Sequence, residues 1–466
     1  MSDEATNEGE KPAEHEPVTS ASPGLAAPQL TDDESVDEGD DDAPRPWSAE
    51  PQRLRALLVI AATFITIAFM MVAWHTKDSA IRNTNVGSRY ATVEAIVNHG
   101  TFVIDDTQYN RTIDKVQIGG KFYSSKPPLM LVMAAGVYAV ERAVTGYDIR
   151  THEKKVVWFV NLVFGAVLHA LMLLALLRIL LVVVRREEAV LVTLAACGFS
   201  SLATGYAIEL NNHSVAAALT MLLFCEALLI TKGNDARPRR YVLAGTFAGL
   251  LPGVDLPALA ISGLVGVYLF LHDRERTLRY FALAFVPWIA VQLVVNVIAT
   301  GSVLPAYLQK GVYNYPGSYW NNPKGVDALD ENKLLYAFQT TLGHHGVLSM
   351  TPVFFLAVHA IVVAIRKKSA HVREAILVAT IGVVMQGYYI LSTKNYGGNC
   401  VGLRWMIPYH SLLFVFVGVW LEQAKLRAWA WALVLLCIAV GQFHVFDIFW
   451  TPWHVSRWEQ GLSKLF

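Results

Sequence analysis

Long apolar runs alternate with short polar breaks along most of the chain, and each run is long enough, or nearly so, for a helix that crosses a bilayer. They predict spans near residues 55–74, 156–183, 188–208, 213–231, 241–252, 256–272, 280–300, 347–365, 374–392, 404–421 and 428–449, with a shorter apolar stretch over 127–144. Lys and Arg gather in the breaks at 185–186, 232–240, 274–279, 366–373 and 425–427. The positive-inside rule assigns all five to the cytoplasm. With Arg53 and Arg55 on that side too, 75–126, 209–212, 253–255, 301–346 and 393–403 share the outer face. The count closes only if 127–144 does not cross fully, and Glu141 and Arg142 near its end suit a re-entrant or interfacial helix.

Composition agrees with the pattern: 54% of the 466 residues are hydrophobic and 16% charged. The expectation is an all-α polytopic integral membrane protein with about 11–12 transmembrane helices. The formal net charge of zero conceals two populations, since residues 1–50 hold 15 acidic and 2 basic side chains, which leaves 23 acidic and 36 basic in the rest. Such a tail buries too little apolar surface to order itself, so 1–50 reads as a disordered cytoplasmic segment and 51–466 as the membrane domain. The tail lacks the basic start and cleavage site of a secretory signal, which predicts that the first apolar helix is retained. Cys197, Cys225, Cys400 and Cys437 have neither metal nor disulfide spacing and read as packing residues. A Walker loop and a dinucleotide fingerprint are both missing, and nothing suggests a nucleic-acid partner.

Two polar breaks are long enough to carry structure, 75–126 and 301–346. In the first, 85–94 reads as an amphipathic helix, and 112–123 alternates about Gly119–Gly120 in the manner of a β-hairpin. It ends at Lys126-Pro127-Pro128-Leu129, which holds a cation where an apolar helix begins and a lipid phosphate would sit. Arg89-Tyr90-Ala91 followed by Phe122-Tyr123-Ser124-Ser125-Lys126-Pro127-Pro128-Leu129 resembles the first external loop of GT-C glycosyltransferases. The branch it is most similar to contains the protein O-mannosyltransferases and the lipid A aminoarabinose transferases. The later run of Gly397, Gly398, Gly402 and Arg404 is similar to a segment of bacterial members. The resemblance implies a GT-C-like core with a structured first external loop, and a polyprenyl-phosphate sugar as donor, its phosphate held by Arg89 and Lys126. It also implies an acidic pair just before the Arg-Tyr, where this chain has Val86 and Gly87.

The chemistry can be stated from the residues as well. Transfer from a phosphate donor needs an acceptor of the incoming hydroxyl's proton and cations for the departing phosphate. Arg89 and Lys126 suit the second task, or anchor the loop to headgroups. For the first, Asp255 lies at a break between two apolar helices, where an ionisable group is a functional candidate and also a natural helix cap. Asp105 and Asp106 are adjacent and could serve instead or bind a divalent cation, or simply end a turn. Glu94 and Asp114 are the other outer-face carboxylates considered. Tyr90, Asn211, Asn212, His213, His344 and Arg404 complete the expected substrate-binding set, with capping or interfacial roles as the alternative. The His344–His345 pair lacks metal spacing, so no metal ligands are assigned. The expected activity is glycosyl transfer at the outer face of a bacterial-type cytoplasmic (inner) membrane, with membrane lipids and the lipid-linked donor as partners. The alternative is a lipid-linked-sugar binding or translocating protein without catalysis.

Overall fold

The computed structural model describes residues 47–76, 83–398, 400–424, 431–432 and 434–439. The acidic tail and most of the expected span 428–449 lie outside the described residues. Among those residues the fold is helical apart from one two-stranded hairpin, and seven helices are long and apolar enough to cross a membrane. In chain order the helices are α1 (Pro51–Thr76), α2 (Thr84–His99), α3 (Pro128–Thr145), α4 (Glu153–Val183), α5 (Glu187–Ser200), α6 (Leu202–Tyr206), α7 (Asn212–Thr231) and α8 (Pro238–Val254). There follow α9 (Leu256–His272), α10 (Arg274–Thr300), α11 (Lys333–Thr341), α12 (Val347–Met350), α13 (Phe354–Arg366), α14 (Val372–Ser392) and α15 (Arg404–Gln423).

The core centres on α7 and α15, whose most apolar windows are 83% and 78% buried, against 28% for α1 and 17% for α10. The central helix α7 packs on α4, α8 and α15, so its apolar residues face protein all round while α10 presents most of its surface outward. Two expected spans are broken. The run 188–208 stops at Ser200, because Ser201 takes an extended conformation and its hydroxyl accepts from Thr204 N to start the short α6. The run 347–365 breaks before Pro352, where Thr351 leaves the helical region as a residue preceding proline tends to do.

Ion pairs and hydrogen bonds tie the basic breaks 185–186 and 232–240 to neighbouring helix ends, while 425–427 lies outside the described residues. Arg53 pairs with Glu187, Lys232 with Glu374 at 3.2 Å, and Arg240 with Glu226 at 2.9 Å, while the Arg185 and Arg186 amides donate to Glu422. The first long loop runs between α1 and α3. Asn83 caps α2 by accepting from Val86 N, and Gly100 closes it with a positive φ of 64°. The hairpin follows, β1 (Lys115–Ile118) against β2 (Lys121–Ser124), turning at Gly119 and Gly120 with φ of 58° and 79°, as the glycine pair predicts.

The helix α2 departs from the amphipathic expectation, because its polar side chains Ser88, Arg89, Thr92 and Glu94 are as buried as its apolar ones. Val86, Tyr90 and Val93 join the main core, and Ala91 and Ala95 pack under Ile104 on the opposite face. Next to it runs α3, which begins at Pro128 with Leu129 against Gly253 and ends with Arg142 donating to Asn98 near the end of α2. It therefore lies alongside α2, and its length and composition would allow a crossing.

Candidate functional site

The site forms where the first loop meets the starts of the two central helices. Asn211 caps α7 with its side-chain oxygen on His213 N at 2.9 Å, and α15 begins with Arg404. Helix starts expose unpaired N–H groups and carry positive potential, so two of them side by side favour an anion.

Arg89 reaches this point from α2. Its guanidinium donates to the carbonyl and side-chain oxygens of Asn85 and, across the interface, to Asn212 Oδ1. Lys126, at the hairpin's exit, pairs with Asp114 at 3.2 Å, and Asn85 Nδ2 donates to the same carboxylate oxygen at 2.9 Å. The base of the hairpin is fixed to α2, because the Ser88 and Ser125 hydroxyls both donate to the Asp114 carbonyl. Arg404 lies close enough for its charge to act on Arg89, Lys126, Asp114 and Glu209. Gly397, at a φ of 90°, brings its backbone against Arg404, so the missing side chain makes room for the arginine.

Three carboxylates balance these three cations. Asp114 holds Lys126. Asp255 ends α8 and accepts from, or is paired with, His213 Nδ1 at 2.6 Å. Glu209 receives Asn83 Nδ2 at 3.0 Å and Asn211 Nδ2 at 3.1 Å. Sequence reading passed over Glu209; the available signal was a lone carboxylate two residues before Asn211-Asn212-His213, at the end of an apolar run. Burial sets the electrostatics. It pushes Lys126 down to about 8 against the opposing pull of Asp114, with Arg89 and Arg404 adding to the shift. Burial likewise takes Arg89 down to about 10, opposed by Glu209. Glu209 is raised by burial in spite of Arg89 and its amide donors, whereas in Asp114 burial is outweighed by Lys126, Arg404 and Arg89, which hold it below its usual range. Arg89 Nε and Arg404 Nε are buried with no hydrogen-bond partner among the described residues. A buried charged donor left open is costly, and an anion between the two arginines would satisfy both.

The second loop closes over the first. Val312 O accepts from Gln117 N at 2.8 Å, and Tyr313 bonds to Ser125 beside Asp114, burial raising its phenol. Tyr307 and Tyr389 both lie within the field of Asp255.

Several expected site residues sit elsewhere. Asp105 accepts from Phe122 N at 2.9 Å and acts on Lys115, so it secures the hairpin instead of reaching the cluster. Asp106 is exposed, with its carbonyl receiving Arg150. No group of three or more His, Cys, Asp or Glu side chains with metal-site geometry occurs among the described residues. Tyr90 turns away from Arg89 into the core, donating to Asn161 Oδ1 at 2.7 Å, because successive helix positions point about 100° apart. Asn211 is a cap. His344 packs against His345 and Tyr396 with ring centroids 4.6 and 4.9 Å away, and this ring cluster meets the site through Leu403 N, which donates to His345 O at 3.0 Å. Glu94 is fully buried and pairs with Arg150 at 2.6 Å.

No protein-family model and no curated protein matches the chain. Two crystal structures resemble it. One is ArnT from Cupriavidus metallidurans bound to undecaprenyl phosphate, with 16% identity and a TM-score of 0.47 over 81% of this chain and 62% of that one. The other is the apo oligosaccharyltransferase of Archaeoglobus fulgidus, with 13% identity and a TM-score of 0.49 over 86% of this chain and 56% of that one. The chain spans less than two thirds of the length of either.

Proposed function

We propose that this protein transfers a sugar from a polyprenyl-phosphate donor to an acceptor hydroxyl, at the end of the bundle where Arg89, Lys126 and Arg404 converge. The observation that carries the reading is the pair of buried Nε donors of Arg89 and Arg404 without partners among the described residues, set between two helix starts and next to a lysine held by Asp114. The resemblance of Arg89-Tyr90 and Lys126-Pro127-Pro128 to the GT-C first loop supports the same assignment.

In this reading the acceptor oxygen attacks the anomeric carbon, the bond from that carbon to the phosphate oxygen breaks, and polyprenyl phosphate leaves with one more negative charge. The three cations stabilise that charge, and they do so in a buried setting where each contact is stronger than in water. The acceptor's proton goes to the His213–Asp255 pair. With its Nδ1 proton directed to Asp255, His213 presents Nε2 as an acceptor, the arrangement in which a carboxylate fixes the tautomer of a general base. Asp255, singled out from the sequence as the base, acts here as the group that orients it. Burial raises Glu209 above an ordinary carboxyl in spite of the pull of Arg89.

Binding of a polyprenyl phosphate to purified protein, compared between Lys126→Ala and Lys121→Ala, tests the phosphate site. Lys121 is exposed at the hairpin turn and serves as the matched control. Loss of a charge-assisted contact predicts roughly tenfold to a hundredfold weaker binding for Lys126→Ala alone. Equal effects of the two substitutions would reduce Lys126 to a headgroup anchor and remove the assignment.

A further inference from the structure

A second lipid-facing site lies between the end of α3 and the start of α4, apart from the cation cluster. A groove of about 310 Å³ opens there, bounded by Val140, Glu141, Val144, Tyr147, Lys155 and Trp158. Its walls are mostly apolar, and Val140 and Val144 are 63% and 80% exposed on a helix apolar enough for a bilayer. Within it Glu141 is 94% buried, and its Oε2 has no hydrogen-bond partner among the described residues. The adjacent Arg142 does not serve it, being turned to Asn98 and Asp148. Lys155 stands at the other side of the groove, donating to Tyr147 OH at 3.0 Å and lying 4.3 Å over the Tyr147 ring. Trp158 is fixed by its indole N–H on Ala73 O at 3.3 Å.

A carboxylate enclosed by apolar surface with an open oxygen is costly unless a donor meets it. An ionisable group of this kind on a helix apolar enough for a bilayer is a functional candidate by default. We propose that the groove binds a phospholipid whose headgroup carries a primary ammonium, of the ethanolamine type. The ammonium donates to Glu141, the phosphate lies toward Lys155, and an acyl chain fills the apolar channel past Val140 and Val144. A primary ammonium is favoured over a trimethylated one because only the former has N–H donors for the open oxygen. This site is independent of the glycosyl-transfer reading and stands or falls separately from it.

The test is lipid retention by the full chain, measured by native mass spectrometry after equilibration with detergent micelles containing phosphatidylethanolamine, phosphatidylcholine or phosphatidylglycerol of the same acyl chains. Wild-type protein retains phosphatidylethanolamine about tenfold or more over phosphatidylcholine, and Glu141→Gln removes that preference. Lys155→Met weakens phosphatidylethanolamine and phosphatidylglycerol together. Val144→Trp, which blocks the mouth without touching either charge, lowers retention of phosphatidylethanolamine and so decides the matter if Glu141→Gln does not fold. Equal retention of phosphatidylethanolamine and phosphatidylcholine by wild type overturns the proposal, as does an unchanged preference in Glu141→Gln or unchanged retention of phosphatidylethanolamine in Val144→Trp. Polyprenyl-phosphate binding stays at the wild-type level in all three variants if the two sites are separate.

Discussion

Lys126 couples the site to pH. Its ammonium titrates near 8 in the free protein because burial disfavours the charge, and a bound phosphate raises that value by favouring the protonated form. Donor affinity is therefore full below about pH 8 and falls as pH rises through it. Lys126→Arg, whose charge persists, flattens the profile between roughly pH 7 and 9.5, as titration calorimetry across that range would show. A profile equally steep in both proteins would place the titrating group elsewhere. The His213–Asp255 pair gives a second expectation at this scale. Removing a general base costs about 10²–10⁴ in rate, so Asp255→Asn and His213→Ala should each nearly abolish transfer while leaving polyprenyl-phosphate binding in place. Because the two act as one unit, the double variant should be scarcely worse than either single one. Single-turnover rates for the set would show this, and full activity in Asp255→Asn would discard the assignment.

At the scale of elements, the loop bearing Glu209 depends on one glycine of α4. A Cβ on Gly165 would sit 1.8 Å from Ala207 O, so the backbones of α4 and of the chain leading to α7 touch directly. Gly165→Ala must push them apart, and overpacking of this kind costs about 1–3 kcal/mol. It should lower the melting temperature in detergent and weaken polyprenyl-phosphate binding at once, since Glu209, Asn211 and Asn212 move with the loop. Gly136→Ala is the contrasting case. Nothing lies within 4 Å of that added Cβ, and the exposed position on α3 gains helix propensity. A thermal-unfolding comparison in which both substitutions behave alike would refute the close contact.

For the whole molecule, the positive-inside pattern predicts an orientation. Single-cysteine variants at Ala236 and Asn322 should react with a membrane-impermeant thiol reagent from opposite sides. The native cysteines are all buried and leave a low background. Labelling of both positions from the same side would overturn the arrangement. The disposition of α3 belongs to this scale too. Parity of the basic breaks predicts that it does not cross, and a single cysteine at Val144 labelled from the side opposite Asn322 would overturn that expectation.

The sequence by itself determined the helical, membrane-spanning class, the hairpin at Gly119–Gly120, the helix starting after Lys126-Pro127, and Arg89 and Lys126 as a cation pair worth pursuing. These follow from period, local backbone chemistry and residues close along the chain, where sequence distance and spatial distance still agree. Only the tertiary structure decided the rest. It brought Asn212 to Arg89 across more than a hundred residues, set Asp255 on His213, enclosed Glu209 among amides, and turned Tyr90 into the core. It also assigned Asp105 to the hairpin, although its sequence setting is as suggestive as that of Asp255. Which carboxylate meets which cation is set by how the helices pack, because burial and long-range pairing are properties of the assembled fold, and no local stretch of chain encodes them.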